Sequence, residues 1–109
     1  VKVKMKYIEV LTTCESRDEA QKIAEELVKQ RACACVQITG PLLSIYRWKG
    51  TVERSQEWRC TVKTRGDLFD RVEEIVKSLH SYEVPEIAAL PIVEGSDDYL
   101  SWIQEETAD

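Results

Sequence analysis

The feature that most restricts the fold is a stripe of apolar residues, Ala20, Ile23, Ala24, Leu27 and Val28, spaced at i, i+3, i+4, i+7 and i+8. That spacing puts all five on one side of an α-helix and obliges that side to be buried. Ser16 and Glu19 stand ahead of it at capping-box spacing, so the helix is expected to start there and to end near Gln30. A second stripe, Leu68, Val72, Ile75, Val76 and Leu79, predicts a helix from about Asp67 to Leu79, with Thr64 and Asp67 as a capping pair. Around these helices the sequence is strand-like. Lys2 to Thr13 is rich in alternating and β-branched residues, with Lys2, Lys4 and Lys6 turned to water. Ala32 to Ile38 is a short small-apolar run suited to a buried strand, punctuated by Gly40-Pro41. Leu42 to Trp48 is strand-like again, Lys49-Gly50 is a turn, and Thr51 to Thr64 is a long strand. In its second half Trp58, Cys60 and Val62 share one face, and Glu57, Arg59, Thr61 and Lys63 the other. Val84-Pro85 stops any helix, Glu86 to Val93 is a last strand, and Pro91 belongs at an edge, a bulge or that strand's end. Gly95 and Ser96 lead into a terminal helix with Tyr99, Leu100, Trp102 and Ile103.

The order is β-α-β-β-α-β with one more helix, which makes the fold α+β and ferredoxin-like: an antiparallel sheet with both main helices on one face. A single domain, residues 1–109, accounts for the whole chain. The other sheet face is expected to be bare and to expose Ile45, Tyr46, Trp48 and Trp58, so sheets should pack on sheets in an oligomer.

Of the 109 residues, 43% are hydrophobic, enough for one core; 15 basic against 20 acidic side chains leave a net charge of −5. An acidic chain of this kind lacks the basic face that nucleic acid or an anionic membrane surface requires. No apolar run approaches the roughly 18–20 residues of a spanning helix, and no charged-then-apolar leader opens the sequence. Cys14, Cys33, Cys35 and Cys60 contain no C-x-x-C pair, and they read as reduced thiols, mostly small buried hydrophobes, in a cytoplasmic protein.

Three residues carry candidate chemistry. Lys63 is either an anion-binding or carboxylate-pairing group or an ordinary solvated lysine. His80, the only histidine, closes the second helix, where it is a metal ligand, a titrating donor or a partner of the helix dipole. A metal would need further donors from Cys, Asp or Glu. Cys14 is the best-placed thiol, at a strand-to-helix junction where a helix N-terminus lowers thiol pKa; burial as a small hydrophobe is the other reading. No nucleophile elbow, zinc-protease motif or glycine-rich phosphate loop is present, and four glycines exclude a P-loop or Rossmann fingerprint.

Several ordered segments together resemble the CutA family of divalent-cation tolerance proteins, over nearly the whole chain. They are Ala34-Cys35-Val36, Ser44-Ile45-Tyr46-Arg47-Trp48-Lys49-Gly50, Glu57, Val62-Lys63-Thr64, His80-Ser81-Tyr82-Glu83-Val84-Pro85-Glu86-Ile87, and Gly95 with Tyr99-Leu100-Ser101-Trp102-Ile103. The resemblance implies a ferredoxin-like subunit in a tight homotrimer, similar in architecture to PII signal-transduction proteins, with a cleft between neighbouring subunits. By motif position Tyr46, Trp48, Glu57, Lys63, His80, Tyr82, Glu86 and Trp102 would line it. It also implies metal tolerance and copper binding, with no obligatory cofactor and no assigned reaction, hence no catalytic residue. The sequence departs from the family at His80-Ser81-Tyr82, where histidine-proline-tyrosine is usual. Thr12 and Leu79 stand where copper-binding members carry a cysteine and a second histidine, which leaves His80, and Cys14 nearby, as metal-ligand candidates.

The expectation is therefore a non-enzymatic, trimeric binding protein for a small ligand or a divalent metal such as Cu(II), signalling to a protein partner and engaging neither nucleic acid nor membrane. In its clefts Lys63 would supply positive charge, Glu57 and Glu86 carboxylates, His80 a donor or metal ligand, and the aromatics an apolar wall. Two alternatives stay open: an enzyme using Lys63 and His80 as acid and base on a small anionic substrate, and a trimeric scaffold with no ligand.

Overall fold

Ser16 caps the first helix, its Oγ accepting a hydrogen bond from the Glu19 backbone N–H at 3.1 Å. The helix, α1, runs from Arg17 to Lys29 and buries Ala20, Ile23, Ala24 and Leu27, whereas Val28 is exposed. It ends in a Schellman motif, with Ala32 N–H on the Leu27 carbonyl and Arg31 N–H on the Val28 carbonyl, both at 3.0 Å. Arg31 takes the left-handed conformation (φ 57°) that glycine usually fills there. In this computed structural model, which describes residues 5–108, the remaining elements are β1 (Tyr7–Cys14), β2 (Cys35–Trp48), β3 (Thr51–Arg65), α2 (Phe69–Leu79), β4 (Ala88–Pro91) and α3 (Asp97–Glu106). The expected beginning of the first strand, at Lys2 and Lys4, lies outside the described residues.

The four strands form one antiparallel sheet in the order β2-β3-β1-β4. Val72, Ile75 and Val76 of α2 join Ile23 and Leu27 of α1 over Val10, Cys60 and Val62, all within one buried cluster. Burying each side chain of this size contributes about 1.5–3 kcal/mol, which is what holds both helices on one face. Pro91 ends β4, an edge strand, where its missing N–H costs no ladder bond.

Four sequence expectations are corrected. Gly40-Pro41 does not end a strand: β2 continues through it as a register shift between Thr39 and Leu42. Trp58 lies under the helices, packed against the core, and a Cβ on Gly40 would run into its indole. Thr64 does not cap α2. Its Oγ1 donates to the Ala32 carbonyl at 2.7 Å, and a 3-10 turn at Gly66–Leu68 leads into the helix with no side-chain cap. The second sheet face is not fully bare either. Arg65 donates to the Thr107 carbonyl and Arg31 to the carbonyls of Glu105 and Ala108, which fasten α3 over part of it.

Part of the uncovered apolar surface lies on a projecting arm, and Val84, Leu90 and Val93 are exposed outside it. Beyond Glu57, the outer halves of β2 and β3 pair only with each other, joined by Lys49-Gly50 with both φ values positive, the signature of a tight type I′ turn. Leu43 is 70% exposed there, and Ile45 and Val52 are each 57% exposed.

Candidate functional site

The chain leaves α2 at His80, whose backbone is extended (φ −79°, ψ 139°), and this turns the next residues back towards the base of the arm. The His80 side chain is fully buried. Its Nε2 lies 2.8 Å from the Thr13 carbonyl, so Nε2 carries the proton and donates; Nδ1 accepts from the Tyr82 backbone N–H at 3.1 Å. The Tyr82 ring leans on the imidazole, 4.9 Å between centroids. Its hydroxyl donates to Glu57 Oε2 at 2.7 Å, and Glu57 is only 7% exposed. Burial, and then the Glu57 carboxylate, push the Tyr82 phenol above its ordinary pKa. In front of this group lies a pocket of about 280 Å³ lined by Tyr46, Trp48, Ser81, Tyr82, Glu83 and Val84. Ser55 Oγ donates to the Tyr46 hydroxyl at 3.1 Å, and the Lys49 ammonium sits 5.6 Å from the Trp48 ring centre.

The expected cleft residues thus divide into groups. Tyr46, Trp48 and Tyr82 line one pocket, with Glu57 and His80 supporting it through Tyr82. Lys63 stands on the other side of the sheet from His80, with its Nζ 4.0 Å from the Glu9 carboxylate and 6.0 Å from the Tyr99 ring centre. Trp102 packs on the same Tyr99, 5.9 Å between centroids. Six residues of strand separate Lys63 from Glu57, about 20 Å. Glu86 is exposed in the connection from α2 to β4. The single chain therefore brings together neither the whole expected cleft nor a Lys63–His80 acid–base pair.

The structure adds Glu19, which the sequence pattern assigned to a capping box. Its carboxylate turns away from the cap and accepts from the Ser81 N–H at 2.9 Å and the Ser81 Oγ–H at 2.8 Å, with Oε1 3.3 Å from His80 Nδ1. Ser81 supplies both donors, and the distance between Glu19 and Ser81 in sequence hides the link. Cys14, Glu19 and His80 each offer one ligand atom within 4.8 Å of the others.

The thiols are unlike an activated nucleophile. A hydrogen bond to Cys60 and then burial push Cys14 above its ordinary pKa, against the lowering expected from the α1 N-terminus, and burial pushes Cys33 up to about 12. Cys14, Cys33 and Cys60 are buried and free, as small core hydrophobes. The cysteine-and-two-histidine copper set that the resemblance implied does not fit these residues. Thr12 is buried with no partner for its hydroxyl among the described residues, and Leu79 packs against the core.

The sequence profile of the CutA1 divalent ion tolerance proteins matches residues 8–106, nearly the whole described chain. The chain belongs to the CutA family. Among its CutA relatives, the divalent-cation tolerance protein of Thermus thermophilus is 50% identical over 98 residues, which are 90% of this chain and 95% of that protein. Human CutA is 38% identical over 95 residues, 87% of this chain but 53% of the human protein, so the match spans about half of that relative. The solved CutA1 structure from a psychrotrophic Shewanella superimposes with a TM-score of 0.94 at 36% identity, covering 98% of this chain and all 100% of that one. The Thermus thermophilus structure gives 0.91 at 48% identity over 94% of this chain and 99% of that chain.

Proposed function

We propose that this CutA chain is a PII-like, non-enzymatic binding protein acting in tolerance of divalent metal ions, assembled as a homotrimer in a reducing compartment such as the cytoplasm. The observation that carries the reading is the arm. A two-stranded hairpin is marginal in water by itself, and this one exposes Leu43, Ile45 and Val52 beside Tyr46 and Trp48, so its apolar residues call for a sister copy. The same hairpin forms one wall of the Tyr46–Trp48–Tyr82 pocket, and assembly would therefore close that pocket. A seam between copies is also where the Lys63–Trp102 group of one subunit would complete the Glu57–Tyr82 group of another, with Glu86 at the rim. Lys63 then offers charge to an anionic ligand and the aromatics offer a wall. Copper binding through the family's thiol and paired imidazoles is no part of this reading.

Light scattering coupled to size exclusion at low micromolar concentration tests it. The wild type is expected at three times the chain mass, and Ile45→Lys, which sets a charge on the arm, at a lower mass. Native mass spectrometry of the protein from its own source reports the stoichiometry and any retained small molecule. A well-folded wild-type monomer would refute the proposal.

A further inference from the structure

The arm sorts its charges by face. Residues directly opposite across an antiparallel pair project to the same side, and neighbours along a strand project to opposite sides. Tyr46 pairs with Glu53 and Leu42 with Glu57, so Tyr46, Trp48, Glu53 and Glu57 share one face. Ile45 pairs with Arg54 and Arg47 with Val52, which puts both arginines of the arm on the reverse. The aromatic and acidic face is the one that meets the loop after α2, where Tyr82 bonds to Glu57 and Glu83 joins the pocket lining. Tyr46, Trp48 and Tyr82 supply three rings to that lining, and Glu83 its one formal charge. Two cations border this face, Lys49 at the turn and Arg59 two residues along β3 from Glu57, and neither lines the pocket. The Lys49 ammonium 5.6 Å from the Trp48 ring centre shows a cation already drawn to that ring. Burial, and then Glu57 and Glu15, push the Tyr82 phenol up, as a negative potential at its oxygen requires.

Resting on the reading of this pocket as a ligand site, we propose that its occupant carries a methylated ammonium head, as a small quaternary amine does. The face of an aromatic ring is the negative end of its quadrupole and attracts a cation, most strongly where water is excluded. Metal ions and primary ammonium groups hold their water tightly and need several oxygen acceptors in exchange, which three rings and Val84 do not provide. Methyl groups spread the charge and loosen that hydration, so a methylated head costs less to dry and lays apolar surface on the same rings. Glu83 then pairs with the charge. Ser81 brings no free donor to oppose it, since its N–H and Oγ–H both bond to Glu19. The volume of about 280 Å³ equals about nine molecules of liquid water at roughly 30 Å³ each. That suits a small head group and lies below the roughly 300–1,000 Å³ of drug-sized sites. Lys63 of the same chain, about 20 Å along the strand from Glu57, does not repel a cation here. Across the seam proposed above, a neighbouring Lys63 would instead meet the anionic end of a zwitterion whose ammonium end lies in this pocket.

The test is calorimetric titration of the full chain with choline and, in parallel, with its neutral isostere, in which carbon replaces the quaternary nitrogen. Choline is expected to saturate at one per chain and the isostere, equal in shape, to bind at least tenfold more weakly. Trp48→Leu and Glu83→Gln should each weaken choline at least threefold, whereas Glu74→Gln, which removes the same charge from the exposed side of α2, should change nothing. If Trp48→Leu does not fold, as circular dichroism would show, Glu83→Gln and Glu74→Gln decide. No saturable choline binding, equal affinity for the isostere, affinity unmoved by Trp48→Leu or Glu83→Gln in folded protein, or equal weakening by Glu74→Gln would overturn the assignment. Light scattering on the same samples separates the two proposals: a monomer that prefers choline refutes the trimer alone, and a trimer that does not refutes the ligand class alone.

Discussion

Tyr82→Phe removes one oxygen while leaving the ring against His80, so it isolates the bond that anchors the pocket loop to β3. The hydroxyl donates to Glu57 at 2.7 Å, and Glu57 is 7% exposed, too deep for bulk water to replace the lost donor well. Hydrogen bonds to charged groups contribute about 1.5–3 kcal/mol, and the expected loss here is about 2 kcal/mol. Overlapping effects with Glu57→Gln turn that into a sharper statement. In a double-mutant cycle the two single losses should exceed the double loss by about 1–2 kcal/mol, because each removes the same bond. The assay is urea unfolding followed by circular dichroism at one fixed protein concentration, since association makes apparent stability depend on concentration. Losses that add to within about 0.3–0.5 kcal/mol would show that Tyr82 and Glu57 are uncoupled, and the account of the pocket's support would fail.

The raised Tyr82 phenol has a pH consequence. The unfolded chain gives up this proton near pH 10, below the native group, so the contribution is whole below about pH 10 and declines as pH rises further. The stability gap between wild type and Tyr82→Phe should narrow from pH 9 to about 11, and a constant gap would contradict the assignment. Gly40→Ala drives a methyl into the Trp58 indole and should cost about 1–3 kcal/mol with a shifted tryptophan emission; unchanged stability and emission would count against the contact. In native protein at pH 8, alkylation mapped by mass spectrometry should reach Cys35 first, the one thiol of the four that is not buried. Cys33, held protonated by a pKa of about 12, and buried Cys14 and Cys60 should react only on unfolding, and early labelling of Cys33 would refute that order.

Both helices were legible because their stripes repeat at the helical period over several turns, and Ser16 supplies a local cap. The fold class followed from the succession of elements, since βαββαβ chains have few ways to bury two helices on one sheet. Local rules failed where a distant residue competed for the same group. Thr64 caps nothing because the Ala32 carbonyl takes its hydroxyl, and Glu19 leaves its capping box for Ser81, far along the chain. Gly40-Pro41 looks like a break in one dimension, yet β3 carries the ladder across it.

Apolar periodicity and local capping thus determined the elements and their order, because both act within a few residues, whereas Tyr46, Glu57 and Tyr82 were named only through the family resemblance. Tertiary structure alone decided that Trp58 is covered and that Leu43, Ile45 and Val52 stand exposed on an arm. It alone parted Lys63 from His80 and set Glu19 beside Cys14. Those outcomes depend on which face, and which strand end, meets which neighbour, and that is settled only when residues far apart in sequence compete for the same partner.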